Sequence, residues 1–313
     1  MTARAGGADG AADRADPGDD PAAGIGWLLA DMTLVTVVNV LVKATGTEVP
    51  ALQLVFLRAA IGLVLIAPLV WRRRAELSRM GAPWRNAARV ACNAAALTLT
   101  FSALTLLPLA IVNAIGFTRP LVAMGLAVAL LGERVVRAQW LGLAVTLAGV
   151  GVIVAPGAGF GPVPVPGLIA AFAGVGFGAM AAIQTRALRG ETTMVLMLFY
   201  TGGLTAFTAI PAAVVWTPLA PGAWGVILAI GILAQVAQIC FLRAYRATRA
   251  TVLSPVSHVS ILFATLAGWV VFAERPGPTF ALGAGLVLLG GLVGARAAGL
   301  AKGRAGRGSP PRR

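Results

Sequence analysis

The chain has 313 residues and a formal net charge of +14. Hydrophobic residues make up 58%, charged residues only 12%, and mean hydropathy is +0.86. Soluble domains carry about 25% charged residues and disordered chains pair low hydrophobicity with high charge, so a polytopic membrane protein remains and a pI near 11.6 reports topology, not nucleic-acid binding.

Residues 1–24 are rich in Ala, Gly, Asp and Pro without apolar periodicity and are expected as a disordered tail. Acidic residues precede the first apolar run, which argues against a signal peptide. Ten apolar runs then follow, at roughly 25–42, 50–71, 87–106, 109–131, 138–155, 167–187, 193–215, 223–243, 250–273 and 278–297. Each is long enough to cross a hydrocarbon core of about 30 Å as a helix. The short connections leave no room for a soluble domain. Residues 298–313 form a basic, Gly/Pro-rich tail.

With ten helices, 21 of the 25 Lys and Arg residues fall on one side. They lie in both tails and after spans two, four, six and eight, with Arg85 and Arg89 counted in the loop before span three. Only Lys43 and Arg275 fall on the other side. The positive-inside rule then puts both termini in the cytoplasm and the chain in the inner (cytoplasmic) membrane. Cys92 and Cys240 lie in apolar runs without spacing partners, so neither a disulfide framework nor a metal site gains support. No cofactor motif appears.

The stretch LGERVVRAQWLGLAVTLAGVGVIV (131–154) recurs as FAERPGPTFALGAGLVLLGGLVGA (272–295). At a constant offset of 141, Glu133 and Arg134 match Glu274 and Arg275, Gly142 matches Gly283, and Gly149 matches Gly290. Two halves of five helices must run in opposite directions, because five is odd. The expected fold is therefore all-α, with ten transmembrane helices as two inverted five-helix repeats, an arrangement found in many secondary transporters.

The segments VNVLVKATGTEVPALQLVFLRAAIG (38–62), AIGFTRPLVAMGLAVALLGERV (114–135) and TVLSPVSHVSILFATLAGWVVFAERP (251–276) resemble the EamA type of the drug/metabolite transporter superfamily. So do the ten-helix layout and the Glu that ends spans four and nine. The likeness covers nearly all of residues 25–297. It implies one EamA-type repeat over 25–155, a second over 167–297, and solute transport by alternating access. The Lys43 to Arg58 stretch and the last segment look like the branch that includes S-adenosylmethionine uptake carriers.

Ionisable groups inside a span are costly and are functional candidates. Here they are Asp31, Arg58, Arg119 and His258. Arg58 and Arg119 lie roughly 12 and 15 Å from the outer ends of their spans, near the midplane. There they could hold a carboxylate in a central cavity; either could instead pair with Asp31 or donate to carbonyls freed by a proline. Asp31 could carry a proton, because a carboxylate out of water binds one more tightly unless paired, or could be a counter-ion to an Arg. His258 could titrate, or only hydrogen-bond a neighbouring helix. Asn39, Asn93, Asn113, Tyr200, Gln235 and Gln238 could line the same cavity, with Gln235 and Gln238 on one helix face. Pro120 and Pro255 are expected to interrupt spans four and nine. Glu133 and Glu274 read as end-caps, and the Gly174/Gly178 and Gly290/Gly294 pairs as close helix packing.

These features point to a secondary carrier of a small polar metabolite: amino-acid-like, carboxylate-bearing or nucleoside-like. It would act in the lipid bilayer as a monomer or homodimer, without nucleic acid. The rival reading, an intramembrane enzyme on lipid-linked substrates, needs clustered acids, a metal set or a nucleophile with a base. The intramembrane inventory supplies none. No phosphate-binding loop supports an ATP-driven pump.

Overall fold

Asp20 starts the first helix. Its Oδ1 accepts a hydrogen bond from the Ala23 N–H at 3.0 Å, and Pro21 takes the first helical position, where its missing N–H costs nothing. Helix α1 thus runs Pro21–Ala44 and begins inside the expected tail. The structure, a computed structural model, describes residues 20–46, 48–72, 83–131, 137–155, 163–187, 193–248, 253, 256–257 and 259–307. Within these residues every element is a helix. The rest are α2 (Ala51–Arg72), α3 (Pro83–Leu106), α4 (Leu109–Gly116), α5 (Arg119–Leu131), α6 (Arg137–Val154), α7 (Val165–Ala187), α8 (Thr193–Val214), α9 (Ala223–Ala247), α10 (Ser260–Phe272) and α11 (Pro278–Arg307).

Among the described residues, seven helical stretches are long and apolar enough to cross a membrane. Three shorter apolar helices lie at Leu198–Val214, Ser260–Phe272 and Pro278–Gly294. Helix α11 continues through 298–307, which composition marks as tail. That stretch is mostly Ala, Gly and basic residues, and no proline interrupts it before position 310. Arg85 and Arg89 are on α3 rather than in the preceding loop, and Arg89 is buried at 5% exposure.

Span four is two helices. After α4 the chain turns at Phe117 and Thr118, and the Thr118 hydroxyl donates to the Ile115 carbonyl at 2.6 Å. Pro120 has no N–H to offer the Gly116 carbonyl four residues back. The Thr118 carbonyl then restarts the ladder, accepting from Leu121 N–H at 3.0 Å and Val122 N–H at 2.9 Å. Pro120 therefore opens α5 and does not kink an otherwise continuous helix. In span nine, α10 covers only the second part, with a turn at Val259 before it. Pro255 and His258 lie outside the described residues, as do Glu133 and Arg134. Helices α5 and α10 start at Arg119 and Ser260 and end at Leu131 and Phe272; α6 and α11 start at Arg137 and Pro278. The starts of α5 and α10, each preceded by a described turn residue, are 141 residues apart, the offset read from the sequence.

Helices α6 and α11 meet through four glycines. A Cβ on Gly142 would lie 2.7 Å from the Gly290 carbonyl, and one on Gly290 would lie 2.6 Å from the Gly142 carbonyl. Gly149 and Gly283 face each other in the same way, at 2.7 Å each. The early part of α6 thus meets the late part of α11, so the two run antiparallel at backbone contact. Further packed pairs are α3 with α7, α1 with α9, α2 with α8, α2 with α9, α3 with α8, α5 with α7, α1 with α10 and α4 with α10.

Packing is uneven along the helix axes. The main core gathers Val42, Leu54, Val55, Leu107, Leu109, Ile111, Ile227 and Phe280, each at most 5% exposed. These residues sit where α1 and α3 end and where α2, α4, α9 and α11 begin. At the opposite end Leu28, Met32, Ala244 and Leu253 form a smaller buried cluster among the described residues. Among the described residues, the end that holds the main core is the dense end.

Candidate functional site

The polar groups of the spans converge on one cavity of about 470 Å³. Helix α1 contributes Asp31 and Asn39, α2 Arg58, α3 Asn93 and Thr100, α4 Asn113, α5 Arg119, α8 Tyr200 and α9 Gln238. Gln235 borders an adjoining space that shares Arg58, Tyr200 and Gln238. Every predicted site residue among the described ones thus lies at this cavity or its annex; the predicted His258 lies outside them.

Each placement has a local cause. Arg58 sits in the middle of α2 with its guanidinium 6.0 Å from the centroid of the Phe101 ring, where the π-face attracts a cation. Arg119 opens α5 at the break, so it projects at cavity level, and it is exposed there. Gly178 of α7 makes room for it, since a Cβ there would lie 2.9 Å from Arg119 Nε. Gly178 therefore seats a guanidinium, while Gly174 packs on α3, its Cβ position 3.2 Å from the Ala96 carbonyl. Asn113 and Ser260 join α4 to α10. Asn113 Nδ2 donates to the Ser260 carbonyl and the Ser260 hydroxyl to Asn113 Oδ1, both at 3.4 Å.

The charges are the main finding. Among the described residues the only side-chain ion pair is Lys43 with Glu274, at 3.0 Å. No described acid lies within ion-pairing distance of Arg58 or Arg119, and no described cation pairs with Asp31. The counter-ion reading, in which Asp31 neutralises one of these arginines, is not what the geometry shows. Two arginines at one cavity, neither paired with a described acid, can attract an anion.

The cavity is closed toward the dense end. Leu104 and Leu109, each 1% exposed, line it there. Just beyond them Glu274 accepts from the Leu109 N–H at 3.1 Å, while Lys43 donates to the Leu107 carbonyl and lies 5.3 Å from the Phe272 ring centroid. Glu274 is indeed a cap, but of α4 and not of its own helix. Nearby, the buried Gln53 amide clamps the backbone of Thr217, donating to its carbonyl at 2.9 Å and accepting from its N–H at 3.1 Å. Toward the other end the lining is Asp31, Phe241 and Arg119, the last two exposed.

Thr100, Phe101, Phe117, Phe241 and Ser260 also line the site or touch its residues, and sequence reasoning did not single them out. The repeat carried a signal for one of them: Ser260 is the position 141 residues after Arg119. Among the described residues, no three of His, Cys, Asp and Glu gather to hold a metal.

Known proteins similar to this chain are transporters. A pseudopaline exporter, CntI, from Pseudomonas aeruginosa (strain UCBPP-PA14) is 30% identical over 255 residues, covering 80% of this chain and 87% of that protein. An S-adenosylmethionine uptake transporter from Rickettsia felis is 23% identical over 85% of this chain and 90% of its own. A riboflavin transporter from Brucella anthropi is 26% identical over 83% and 94%. A crystal structure 23% identical to this chain has the same fold, with a TM-score of 0.60 over 86% of this chain and 95% of its own. Residues 22–155 and 165–293 each match the EamA-like transporter family. The protein is a multi-pass membrane transporter of small molecules and not an enzyme, and it belongs to the EamA-like transporter family.

Proposed function

We propose that the protein is a secondary carrier that moves a small, carboxylate-bearing polar metabolite across the cytoplasmic membrane by alternating access. One observation carries this reading: Arg58 and Arg119 share a cavity of about 470 Å³ in which no described acid pairs with either. That volume suits a metabolite of modest size. The relatives are named for a pseudopaline exporter, an S-adenosylmethionine uptake transporter and a riboflavin transporter, so family membership leaves the substrate open and the cavity's charge narrows it.

In this reading the chain crosses the membrane ten times as two inverted five-helix repeats, residues 25–155 and 167–297, between the tails 1–24 and 298–313. Three observations support it. The starts of α5 and α10 recur at the offset of 141. Helices α6 and α11 pack antiparallel through reciprocal glycine contacts. The packed pairs also map onto one another when the halves are exchanged: α1 with α9 becomes α7 with α3, and α1 with α10 becomes α7 with α5. Both termini are cytoplasmic by the positive-inside rule. The dense end then faces outward and the cavity opens inward. The substrate is held by Arg58 and Arg119 with Asn39, Asn113, Tyr200, Gln235 and Gln238; His258, outside the described residues, is a further candidate from the sequence. Asp31, without a paired cation, is the candidate coupling group.

The test is a thermal-shift screen of purified protein against carboxylate-bearing metabolites, repeated on Arg58→Ala. A hit should stabilise the wild type and leave the variant unmoved. Equal stabilisation of both, by every hit, would remove Arg58 from the site.

A further inference from the structure

The cavity that holds Arg58 and Arg119 also holds a negative group, because Asp31 of α1 lines the same space. The start of α1 meets the end of α9: the Asp20 N–H donates to the Ala247 carbonyl at 2.8 Å, and Leu28 and Met32 pack with Ala244. Asp31 therefore comes level with the stretch of α9 that carries Gln238 and Phe241. Phe241 lines the cavity too, and its ring packs on Tyr245, one turn further along, with centroids 4.6 Å apart. Arg58 lies deeper. It is seven residues into α2, whereas Asp31 is thirteen residues from the end of α1, and this difference of six residues separates them by roughly 9 Å along the helix axes.

Among the described residues no opposite charge pairs with Asp31, Arg58 or Arg119. Arg58 stands against the Phe101 ring and Arg119 against Gly178 of α7. Arg243, two residues past Phe241, is turned to the Trp27 ring, 4.7 Å from its centroid, and makes no ion pair with Asp31. An intramembrane charge is costly unless an opposite charge answers it. A plain carboxylate would answer the arginines but add a second anion to the space that holds Asp31. A plain amine would do the reverse. A molecule that carries both groups answers both ends at once. The chemistry of each end fits: a guanidinium fork matches a carboxylate, and a carboxylate beside an aromatic face matches a compact cation. The cavity of about 470 Å³ has room for such a molecule.

We propose that the substrate is a zwitterion, whose carboxylate is held by Arg58 and Arg119 and whose cationic nitrogen is held by Asp31 and the Phe241 ring. This rests on the carrier reading above and narrows its substrate class to carboxylates that also carry a cationic nitrogen. A proton and that nitrogen cannot both occupy Asp31, so a coupling role and the substrate role of this group exclude each other within one state.

The test uses full-length protein in nanodiscs at mildly alkaline pH. The probes are three pairs that differ by one amino group: alanine and propionate, 4-aminobutyrate and butyrate, glutamate and glutarate. Phenylglyoxal modification of Arg58 and Arg119, read by peptide mass mapping, reports the anionic end. In at least one pair the amino member should protect an arginine at about tenfold lower concentration than its partner, the gain expected for one hydrogen bond to a charged group. Asp31→Asn should shrink that advantage to within about twofold. Carbodiimide modification of Asp31, read as loss of the unmodified peptide, decides the matter in the wild type if Asp31→Asn is not monodisperse: the amino member should protect Asp31 and its partner should not. Equal protection of the arginines by both members of every pair overturns the proposal and leaves a carrier of plain carboxylates. An advantage that survives in folded Asp31→Asn, or an Asp31 left unprotected by every amino member, also overturns it. Protection of neither arginine by any probe overturns this proposal and the carboxylate reading together.

Discussion

Removing the charge of Glu274 tests the seal at the dense end. Glu274 and Lys43 are 3.0 Å apart, with side chains 11% and 16% exposed. Breaking a fully buried ion pair by deleting one partner costs about 3–5 kcal/mol. In Glu274→Gln the isolated cation would keep the Leu107 carbonyl and the Phe272 ring, and the new amide oxygen would still accept from Leu109 N–H. We therefore expect Glu274→Gln to cost about 2–3 kcal/mol. Lys43→Met should cost about the same or more, because it leaves a carboxylate with one N–H donor. The double variant has no orphaned charge and should cost much less than the sum of the two, by about 2 kcal/mol. In a detergent thermal-shift assay each single change should lower Tm by roughly 4–10 °C. Purely additive losses, or single variants within about 1 °C of wild type, would show that the pair carries little of the seal. If alternating access holds, the same changes favour the state open at this end, and a cysteine placed at Leu104 should be labelled faster from outside.

Four further predictions concern topology, binding, coupling and architecture. Alkaline phosphatase fused after residue 313 should be inactive and a fusion within 156–166 active; the reverse pattern would invert the topology. Arg58→Ala should nearly abolish transport while the protein still accumulates in the membrane, and Arg58→Lys should rescue it only in part, since a point charge lacks the fork; normal transport in Arg58→Ala would exclude the central site. If Asp31 carries the coupling proton, Asp31→Asn should lose accumulation driven by a pH gradient yet keep counterflow exchange, with His258→Gln measured alongside as the rival group; full accumulation would exclude that role. Gly149→Ala should cost roughly 1–3 kcal/mol by overpacking, because its Cβ would lie 2.7 Å from the Gly283 carbonyl; an unchanged Tm would mean that α6 and α11 separate easily.

The membrane class, nearly every helix and the offset of 141 were legible in the sequence. A bilayer forces each crossing segment to satisfy its own backbone hydrogen bonds within a long apolar run, so hydropathy along the chain reports it directly. The cost of intramembrane charge likewise made Asp31, Arg58 and Arg119 stand out from the apolar runs around them. The break at Phe117 and Thr118 was half visible: Pro120 announced it, but Pro120 begins the new helix instead of bending the old one, and only the backbone ladder decides which. The seating of Arg119 on Gly178, the pairing of Lys43 with Glu274 and the Gln235 annex depended on tertiary structure. Helices built of Ala, Gly, Val and Leu are apolar all round, because one side meets lipid and the other meets protein, so periodicity does not mark the face that turns inward. Which polar groups meet is then set by close contact between helices far apart in the chain. Such contact arises where glycines let two backbones approach, and no one-dimensional pattern records it.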